Sequence, residues 1–233
     1  MQAIILAGGK GSRLGSIVKD TPKPLLKINN SPFVLKIVER MIDQGVKSII
    51  FCLGYKPQKF INFFGNGSKW GIKISYVIEK KLMGTAGALR AAYRKISKSS
   101  IIVLNGDSFC YFDIPNLLRQ HRLNNSDVTI SVLKTDKIKR YGLVSFNKNL
   151  KINNFDEKPS SHRKNINYIN AGVYLINKDF IHEIDSSKPI SLEKEFFPEN
   201  LDKKIYAFII KNKKFIDIGT PNSLKKADFF FNK

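Results

Sequence analysis

Short apolar runs alternate with amphipathic stretches over the first 135 residues of the chain. The apolar runs end at glycine or polar residues and predict buried strands at 3–6, 48–53, 72–78, 100–104 and 128–133. Apolar residues at helical spacing predict helices at 32–44, 57–64, 86–96 and 115–123. Because strands that alternate with helices need crossover connections, we predict an α/β fold with a Rossmann-like, doubly wound and mostly parallel sheet.

The pattern changes after about residue 135. Strands are predicted at 142–146, 150–155, 171–176 and 205–210, and helices at 178–184, 192–201 and 224–230. This segment therefore predicts a smaller, more antiparallel lobe that packs against the N-terminal residues. We expect one domain over residues 1–233, divided into an N-terminal portion, residues 1–135, and a C-terminal portion, residues 136–233, that includes the last helix.

A strongly basic composition narrows the choice of partners. Forty Lys and Arg residues against nineteen Asp and Glu residues give a formal net charge of +21. This balance favours an anionic partner, which is nucleic acid, a membrane surface or a phosphorylated small molecule. Lys contributes 32 of the 40 basic residues. Because Lys lacks the planar guanidinium group with which Arg forms paired hydrogen bonds to bases, this excess suits a general attraction of anions better than sequence-specific recognition of nucleic acid. A basic nucleic-acid-binding protein is the non-enzyme alternative, although zinc-finger spacing and an RNA-binding aromatic signature are both missing.

Cysteine and histidine usage points to no metal or thiol chemistry. Cys52 and Cys110 each lie in an apolar run, which predicts two buried free thiols. His121, His162 and His182 lie in polar surroundings and are expected at the surface. No run approaches the roughly 18 apolar residues of a membrane span, and no secretory signal is recognisable, so we expect a cytoplasmic location without membrane insertion.

The strongest local signal is a glycine-rich loop that follows the first strand. Leu6-Ala7-Gly8-Gly9-Lys10-Gly11-Ser12-Arg13-Leu14 places three glycines within four positions. Glycine lets the backbone approach a ligand closely, and successive N–H groups can surround phosphate oxygens. The dinucleotide motif would need glycine at Leu14, and the P-loop motif would need Lys directly after Gly11, so neither applies. The alternative is an ordinary turn at the end of a strand.

Charged residues placed around this loop suggest phosphoryl transfer. Lys23 stands between Pro22 and Pro24, which predicts a stiff, extended backbone that holds its ammonium group in place. Arg13 and Lys23 then flank the glycine loop with two positive charges, as phosphoryl transfer requires.

Two aspartates follow apolar stretches at separate points of the chain. Asp107 comes after the strand at 100–104, and Asp217 follows Phe215 and precedes Gly219. A carboxylate at the carboxyl edge of a parallel sheet lies where ligands bind in doubly wound folds. Two carboxylates that converge beside a triphosphate would hold Mg²⁺. The alternative for each aspartate alone is a turn or a helix cap.

These motifs, with several others in the same order, resemble the sugar-1-phosphate nucleotidyltransferase family. The resemblance covers nearly the whole chain, from Met1 to about Phe230. Besides the two segments around Arg13 and Lys23, it rests on Gly84-Thr85-Ala86-Gly87-Ala88-Leu89, Asn105-Gly106-Asp107, Tyr141-Gly142, Glu157-Lys158-Pro159, Asn170-Ala171-Gly172 and Asp217-Ile218-Gly219-Thr220. It implies an enzyme that joins a nucleotide to a sugar 1-phosphate and releases pyrophosphate.

The resemblance also implies a role for individual residues. The N-terminal portion would bind the nucleotide, through Leu6, Ala7, Gly8, Gly9, Gly11, Arg13, Glu79, Gly84 and Thr85. The C-terminal portion would bind the sugar phosphate, through Gly142, Glu157, Lys158 and Asn170. Arg13, Lys23 and Asp107 would be catalytic, and Asp107 and Asp217 would bind Mg²⁺. A phosphate oxygen is already ionised at neutral pH, so no general base is required.

Glu79 bears on the choice of base. In the family, the residue a few places before the Gly84-Thr85 loop often contacts the base, and here it is Glu79. An ionised carboxylate accepts hydrogen bonds only, and guanine offers an adjacent N1–H and N2–H₂ pair of donors, so GTP is favoured. The alternative is a surface charge beside Lys80 and Lys81.

The motifs most resemble the bacterial heptose-1-phosphate guanylyltransferases. The resemblance then implies GDP-heptose as product and a place in the synthesis of a surface polysaccharide. A uridylyl-, cytidylyl- or thymidylyltransferase that acts on a hexose 1-phosphate or a phosphorylated alcohol is the alternative. A C-terminal hexapeptide repeat is not expected. The sequence does not fix the oligomeric state, and a homodimer is one possibility.

Overall fold

A nine-stranded mixed sheet forms the centre of the molecule. The computed structural model describes residues 1–135, 142–156, 167–212 and 214–231. Its strands are β1 (Gln2–Leu6), β2 (Lys27–Ile28), β3 (Ser31–Pro32), β4 (Ser48–Leu53), β5 (Lys73–Ile78), β6 (Ser100–Asn105), β7 (Ser108–Cys110), β8 (Val128–Thr135), β9 (Leu143–Phe146), β10 (Ile152–Asp156), β11 (Asn167–Asn177), β12 (Ile205–Ile209) and β13 (Phe215–Asp217). Its helices are α1 (Phe33–Asp43), α2 (Pro57–Phe64), α3 (Gly84–Ala91), α4 (Ile114–Leu123), α5 (Lys178–His182), α6 (Phe197–Glu199) and α7 (Pro221–Phe231).

The sheet has the order β10-β9-β11-β6-β1-β4-β5, with β8 paired to β11 and β12 paired to β8. The pairs β6–β1, β1–β4, β4–β5 and β8–β12 are parallel, whereas β11 runs antiparallel to β6, β8 and β9. The predicted α/β fold with a mostly parallel sheet is confirmed. The antiparallel strands are part of the same sheet, because β11 lies between β6 and β8 and pairs with both.

Side chains that alternate along the parallel strands build a core on each face of the sheet. In β1, Ala3 and Ile5 belong to one buried cluster, and Ile4 and Leu6 belong to the other. Helices α1, α2 and α7 contribute to the first cluster, and α3 and α5 contribute to the second. Helices on both faces explain why these strands are continuously apolar rather than alternating.

Two predicted helices differ in the structure. The helix predicted at 86–96 ends at Ala91 and is followed by a 3-10 turn at Tyr93–Lys95. The segment predicted as a helix at 192–201 is a π-helical turn at Leu192–Phe196 followed by the short α6. Pro198 has no N–H group for a regular α-helical hydrogen bond, which disfavours a continuous helix through this point.

Burial separates the histidines. The surface position predicted for His121 is wrong, because only 5% of this residue is exposed. Its ring nitrogens lie 2.8 Å from Thr129 Oγ1 and 3.0 Å from Asn177 Oδ1, so each buried nitrogen has a hydrogen-bond partner inside the protein. His182 is exposed, as predicted, and His162 lies outside the described residues.

Both cysteines are buried free thiols, which confirms that prediction. Among the described residues, the longest helices have eleven residues, and none has the length and apolar content needed to cross a bilayer.

Candidate active site

Two adjoining cavities open at the carboxyl ends of β1 and β6. The first, of about 300 Å³, contains the glycine loop, and we call it the glycine-loop pocket. The second, of about 290 Å³, contains Asp217, and we call it the Asp217 pocket. Lys23, Asn105 and Asp107 line both pockets and therefore form the boundary between them.

The structure brings together the residues predicted to bind the nucleotide. Eight of them line the glycine-loop pocket, namely Leu6, Ala7, Gly8, Gly9, Gly11, Glu79, Gly84 and Thr85. Arg13 is the exception, because it extends from the 3-10 turn at Ser12–Val18 into the Asp217 pocket.

Gly8 packs tightly against Glu79 and the backbone of Gly54 at the wall of the glycine-loop pocket. A Cβ atom at this position would lie 2.6 Å from Oε2 of Glu79 and 3.3 Å from the backbone nitrogen of Gly54. A hydrogen bond of 3.1 Å from the Tyr55 N–H to the Gly8 carbonyl holds the glycine loop against the connection between β4 and α2. The backbone of Gly8 and the carboxylate of Glu79 are thus in close contact at the pocket wall.

Glu79 directly follows β5 and is half-buried. Its Oε1 accepts a hydrogen bond of 3.0 Å from the backbone N–H of Met83. Burial raises the pKa of Glu79, and the Met83 hydrogen bond partly offsets this rise. The side chain therefore belongs to the pocket rather than to an exposed charged surface with Lys80 and Lys81.

Lys23 and Asp107 form an ion pair at the boundary of the two pockets. Lys23 Nζ donates to Asp107 Oδ2 over 2.5 Å, and the two side chains are 13% and 37% exposed. Lys23 opens a 3-10 turn at Lys23–Leu25, so the extended backbone predicted for it is wrong. Pro22 is extended, and buried Pro24 and Leu25 anchor the turn so that the ammonium group points to the sheet edge.

A two-stranded ribbon brings the two aspartates to one place. β7 pairs antiparallel with β13, with Asp217 opposite Ser108, and the Ile218 N–H donates to the Asp107 carbonyl over 3.0 Å. A Cβ atom on Gly219 would lie 2.8 Å from Asp217 Oδ1 and 3.5 Å from Lys23 Nζ. Asp217 therefore lies on the Lys23–Asp107 side of the molecule.

Two of the four residues predicted to bind the sugar phosphate can be located. Gly142 and Asn170 line the Asp217 pocket. Glu157 and Lys158 lie outside the described residues.

Two further residues of this region were not predicted from the sequence. Glu193, on the π-helical turn, lines the Asp217 pocket and accepts hydrogen bonds from Thr85 of the glycine-loop pocket and Ser191 of the Asp217 pocket. Asn105 lines both pockets, and within the described residues its buried Oδ1 has no hydrogen-bond partner. The signal for Asn105 was its place at the end of β6, directly before Gly106-Asp107, whereas no local pattern distinguishes Glu193.

The donor set for a metal consists of carboxylates. The described residues contain no cluster of three or more His, Cys, Asp or Glu side chains that could hold an ion alone. Asp107 and Asp217 supply hard oxygen atoms at one cavity, which suits a cation that takes its remaining ligands from phosphate and water.

The glycine loop after the first strand, the two cavities and the shared Lys–Asp pair lie in a chain that is similar to known proteins over nearly its whole length. The sequence model described as nucleotidyl transferase matches residues 2–233. The chain belongs to the nucleotidyl transferase family. The predicted family and the predicted class of enzyme are thereby confirmed.

Relatives of this nucleotidyl transferase match over nearly their whole length. It is 36% identical to the D-glycero-alpha-D-manno-heptose 1-phosphate guanylyltransferase of Aneurinibacillus thermoaerophilus, over 97% of this chain and 96% of that protein. It is 38% identical to the enzyme of the same name from Campylobacter jejuni, over 95% of this chain and 96% of that protein.

A solved structure agrees with the fold of this nucleotidyl transferase. The crystal structure of HddC from Yersinia pseudotuberculosis complexed with GMP-PN superposes with a TM-score of 0.86 at 34% identity, over 99% of both chains. GMP-PN is thus bound in a protein whose fold matches 99% of this chain.

Proposed function

We propose that this protein transfers a guanylyl group from GTP to a heptose 1-phosphate, which forms GDP-heptose and releases pyrophosphate. The observation that carries the proposal is the Lys23–Asp107 pair, which lines both pockets at once. A group transfer between two bound substrates needs the reacting atoms to meet at such a boundary. The nucleotide would occupy the glycine-loop pocket, and the sugar phosphate would occupy the Asp217 pocket.

The choice of guanine is supported by Glu79. Its carboxylate lies at the wall of the glycine-loop pocket, where it can accept from the N1–H and N2–H₂ groups of guanine together. Uracil and thymine offer one N3–H donor between two carbonyl groups, and cytosine offers only its exocyclic amine. The names of the two guanylyltransferase relatives and the GMP-PN bound to HddC point to the same base.

Transfer would proceed by in-line attack. An oxygen of the sugar phosphate forms a bond to the α-phosphorus of GTP as the bond to pyrophosphate breaks, and pyrophosphate leaves with the electron pair. Lys23 would lie against the α-phosphate, and Arg13 would stabilise the triphosphate and the departing pyrophosphate. Because two polyanions must meet, positive charge held in place by the protein lowers both the repulsion and the reorganisation during reaction.

Asp107 and Asp217 would hold Mg²⁺ in this scheme. A bound Mg²⁺ would supply charge neutralisation to the phosphate oxygens. The two carboxylates line one cavity together with Lys23, and Asp107 is held in position by the Lys23 ammonium group. A site of two carboxylates leaves positions for triphosphate oxygens and water, which Mg²⁺ prefers to a complete protein cage.

Four residues would bind the sugar 1-phosphate. Gly142, Glu157 and Asn170 would contact sugar hydroxyls, and Lys158 would contact the phosphate. Of these, Gly142 and Asn170 lie at the Asp217 pocket, which supports the division of the site into two halves. The division of the chain at residue 135, a cytoplasmic location, a role in the synthesis of a surface polysaccharide and a homodimer stay predictions.

Thermal-shift measurements with GTP, UTP, CTP and dTTP, each with Mg²⁺, test the base. We expect GTP to raise the melting temperature most, and Glu79→Gln to remove most of the difference between GTP and the other nucleotides. Stabilisation by UTP or CTP without stabilisation by GTP would refute the guanine assignment.

A further inference from the structure

Glu193, a half-buried carboxylate, accepts four side-chain hydrogen bonds. Oε2 accepts from Thr85 Oγ1 at 2.8 Å and from Ser191 Oγ at 3.1 Å. Oε1 accepts from Tyr174 Oη at 2.9 Å and from Asn105 Nδ2 at 3.5 Å. Each carboxylate oxygen is therefore held by two donors, and the side chain is fixed in one orientation.

The donors come from both halves of the site. Thr85 lines the glycine-loop pocket, Ser191 lines the Asp217 pocket, and Asn105 lines both. Buried Tyr174 connects Glu193 to Asn170 of the Asp217 pocket, because its hydroxyl also accepts a hydrogen bond of 2.9 Å from Asn170 Nδ2. Glu193 is thus bonded, directly or through one hydroxyl, to groups that face each substrate.

A carboxylate at this position sets the direction of the hydroxyl protons. Because an ionised carboxylate accepts only, the hydroxyls of Thr85 and Tyr174 must both donate to it. The Tyr174 oxygen is then left as the acceptor for Asn170 Nδ2, while Asn170 Oδ1 accepts from the Gly172 N–H at 2.9 Å. Burial and the charge of Glu193 raise the pKa of Tyr174 well above its usual value, so its hydroxyl keeps the proton that it donates.

The backbone around Glu193 is joined to the start of α3. The Ala86 N–H donates to the Ile190 carbonyl at 3.0 Å, and the Ile190 N–H donates to the Met83 carbonyl at 2.9 Å. Gly84 permits this approach, because it has a φ of +75° and a Cβ atom there would lie 2.3 Å from the Ile190 oxygen. Thr85 Oγ1 also accepts from the Leu192 N–H at 2.7 Å. Glu193 lies on the π-helical turn Leu192–Phe196, and such turns are rare but frequently lie at functional sites.

We propose that Glu193 is a positioning residue that orients the nucleotide pocket through Thr85 and the sugar-phosphate pocket through Tyr174 and Asn170 at the same time. The inference rests on the proposed function, since it takes the two pockets to be the two substrate sites. Replacement by Gln keeps the shape but introduces an N–H₂ group on one side. If the N–H₂ group replaces Oε2, it faces the hydroxyls of Thr85 and Ser191; if it replaces Oε1, it faces the hydroxyl of Tyr174 and the amide of Asn105. In either case donors face a donor, so the hydrogen bonds on that side must reverse or break.

Isothermal titration tests this with GTP and Mg²⁺, and separately with D-glycero-α-D-manno-heptose 1-phosphate, since no turnover occurs when only one substrate is present. We expect Glu193→Gln to weaken the affinity for each ligand by roughly tenfold. Thr85→Val should weaken GTP alone, and Tyr174→Phe should weaken the sugar phosphate alone. Glu195→Gln is the matched control on the same turn, because Glu195 is exposed and accepts from the Ser191 N–H at 2.8 Å, and it should stay within twofold of wild type.

The result that overturns the inference is a Glu193→Gln variant that keeps either affinity within twofold of wild type. A purely structural role would lower the fraction of protein that binds without changing the dissociation constants, and that outcome also overturns it. If Glu193→Gln fails to fold, Tyr174→Phe decides, because Tyr174 lines neither pocket. A weakened affinity for the sugar phosphate alone supports the inference, and an unchanged affinity overturns it. Wild type that binds another nucleotide instead of GTP refutes the proposed base, and the same titrations with that nucleotide still test Glu193.

Discussion

Lys23 donates a hydrogen bond of 2.5 Å to Asp107 at the place where the two cavities of the site meet. The two residues come from the turn after Pro22 and from the end of β6, far apart along the chain. The ion pair fixes the ammonium group and the carboxylate relative to each other at this boundary. In the proposed reaction, this pair marks where the bond to phosphorus forms.

Lys23→Ala is expected to lower kcat by a factor on the order of 10² to 10³, because a positive charge held at the α-phosphate is lost. Pyrophosphate release measures the rate, and circular dichroism checks that the fold is kept. Lys27→Ala is the matched control, since Lys27 is exposed on β2. Asp107→Asn should abolish turnover, because it removes a carboxylate ligand for Mg²⁺ and the charged partner of Lys23. Full activity in either Lys23→Ala or Asp107→Asn would remove the role given to that residue.

Asp217→Ala is expected to shift the magnesium dependence of the reaction to higher concentrations by about tenfold or more, because one of two carboxylate ligands is lost. A magnesium titration of the rate at saturating substrates provides the measurement. Asp202→Ala, at an exposed position, is the control and should titrate like wild type. An unchanged titration in Asp217→Ala would count against a metal site at the β7–β13 ribbon.

Glu79→Gln is expected to raise the KM for GTP by roughly ten- to a hundredfold, because an amide accepts from one donor of guanine and opposes the other. The KM for the sugar phosphate should change little. Glu39→Gln provides a control carboxylate on α1, where Glu39 pairs with Lys36. Equal KM values for GTP in Glu79→Gln and wild type would contradict the contact between Glu79 and the base.

The pH dependence of GTP affinity follows from the raised pKa of Glu79. The ionised carboxylate binds guanine, so affinity is complete above this pKa and falls as the pH drops through it. Because burial raises the pKa, the fall begins at a higher pH than for a glutamate at its ordinary value of 4.5. The ratio of the dissociation constants of Glu79→Gln and wild type cancels the titration of GTP itself. That ratio should approach one at acidic pH, and a constant ratio would contradict the prediction.

Stability should depend on pH through His121. Burial lowers the pKa of His121 from its usual value of 6.5, so the unfolded chain takes up the proton first. The stabilising contribution of the neutral ring is therefore complete above about pH 6.5 and is lost as the pH falls below it. The melting temperature of wild type should drop by a few degrees more than that of His121→Asn between about pH 7.5 and pH 5.5. His182→Asn, at the surface, should behave as wild type, and equal slopes for all three proteins would contradict this.

The features of the site that sequence patterns predicted are those fixed by the parallel sheet. Apolar strands that stop at Leu6 and Asn105 place the residues that follow them at one edge, whatever the details of the helices. The glycine loop and Asp107 therefore follow from local patterns and the topology rule alone. Glu79, directly after β5, was instead predicted from the family resemblance, and its place at the same edge agrees with the topology.

Other features depend on contacts between distant segments, which local patterns do not contain. β7 and β13 have three residues each, too few for a recognisable alternation, and they pair with each other across a long stretch of chain. His121 lies on a helix of low overall hydrophobicity, and its burial depends on partners in β8 and β11. Glu193 lies in a segment with helical spacing, and its contacts with α3 and β11 determine its environment.

Pyrophosphate release across a matrix of four nucleoside triphosphates and several sugar 1-phosphates, with Mg²⁺ present, tests the proposed transfer itself. We expect the highest kcat/KM for GTP with D-glycero-α-D-manno-heptose 1-phosphate, and near-complete loss of that activity in Lys23→Ala. Efficient turnover of UTP, CTP or dTTP with a hexose 1-phosphate, and none with GTP, would contradict guanylyl transfer to a heptose 1-phosphate.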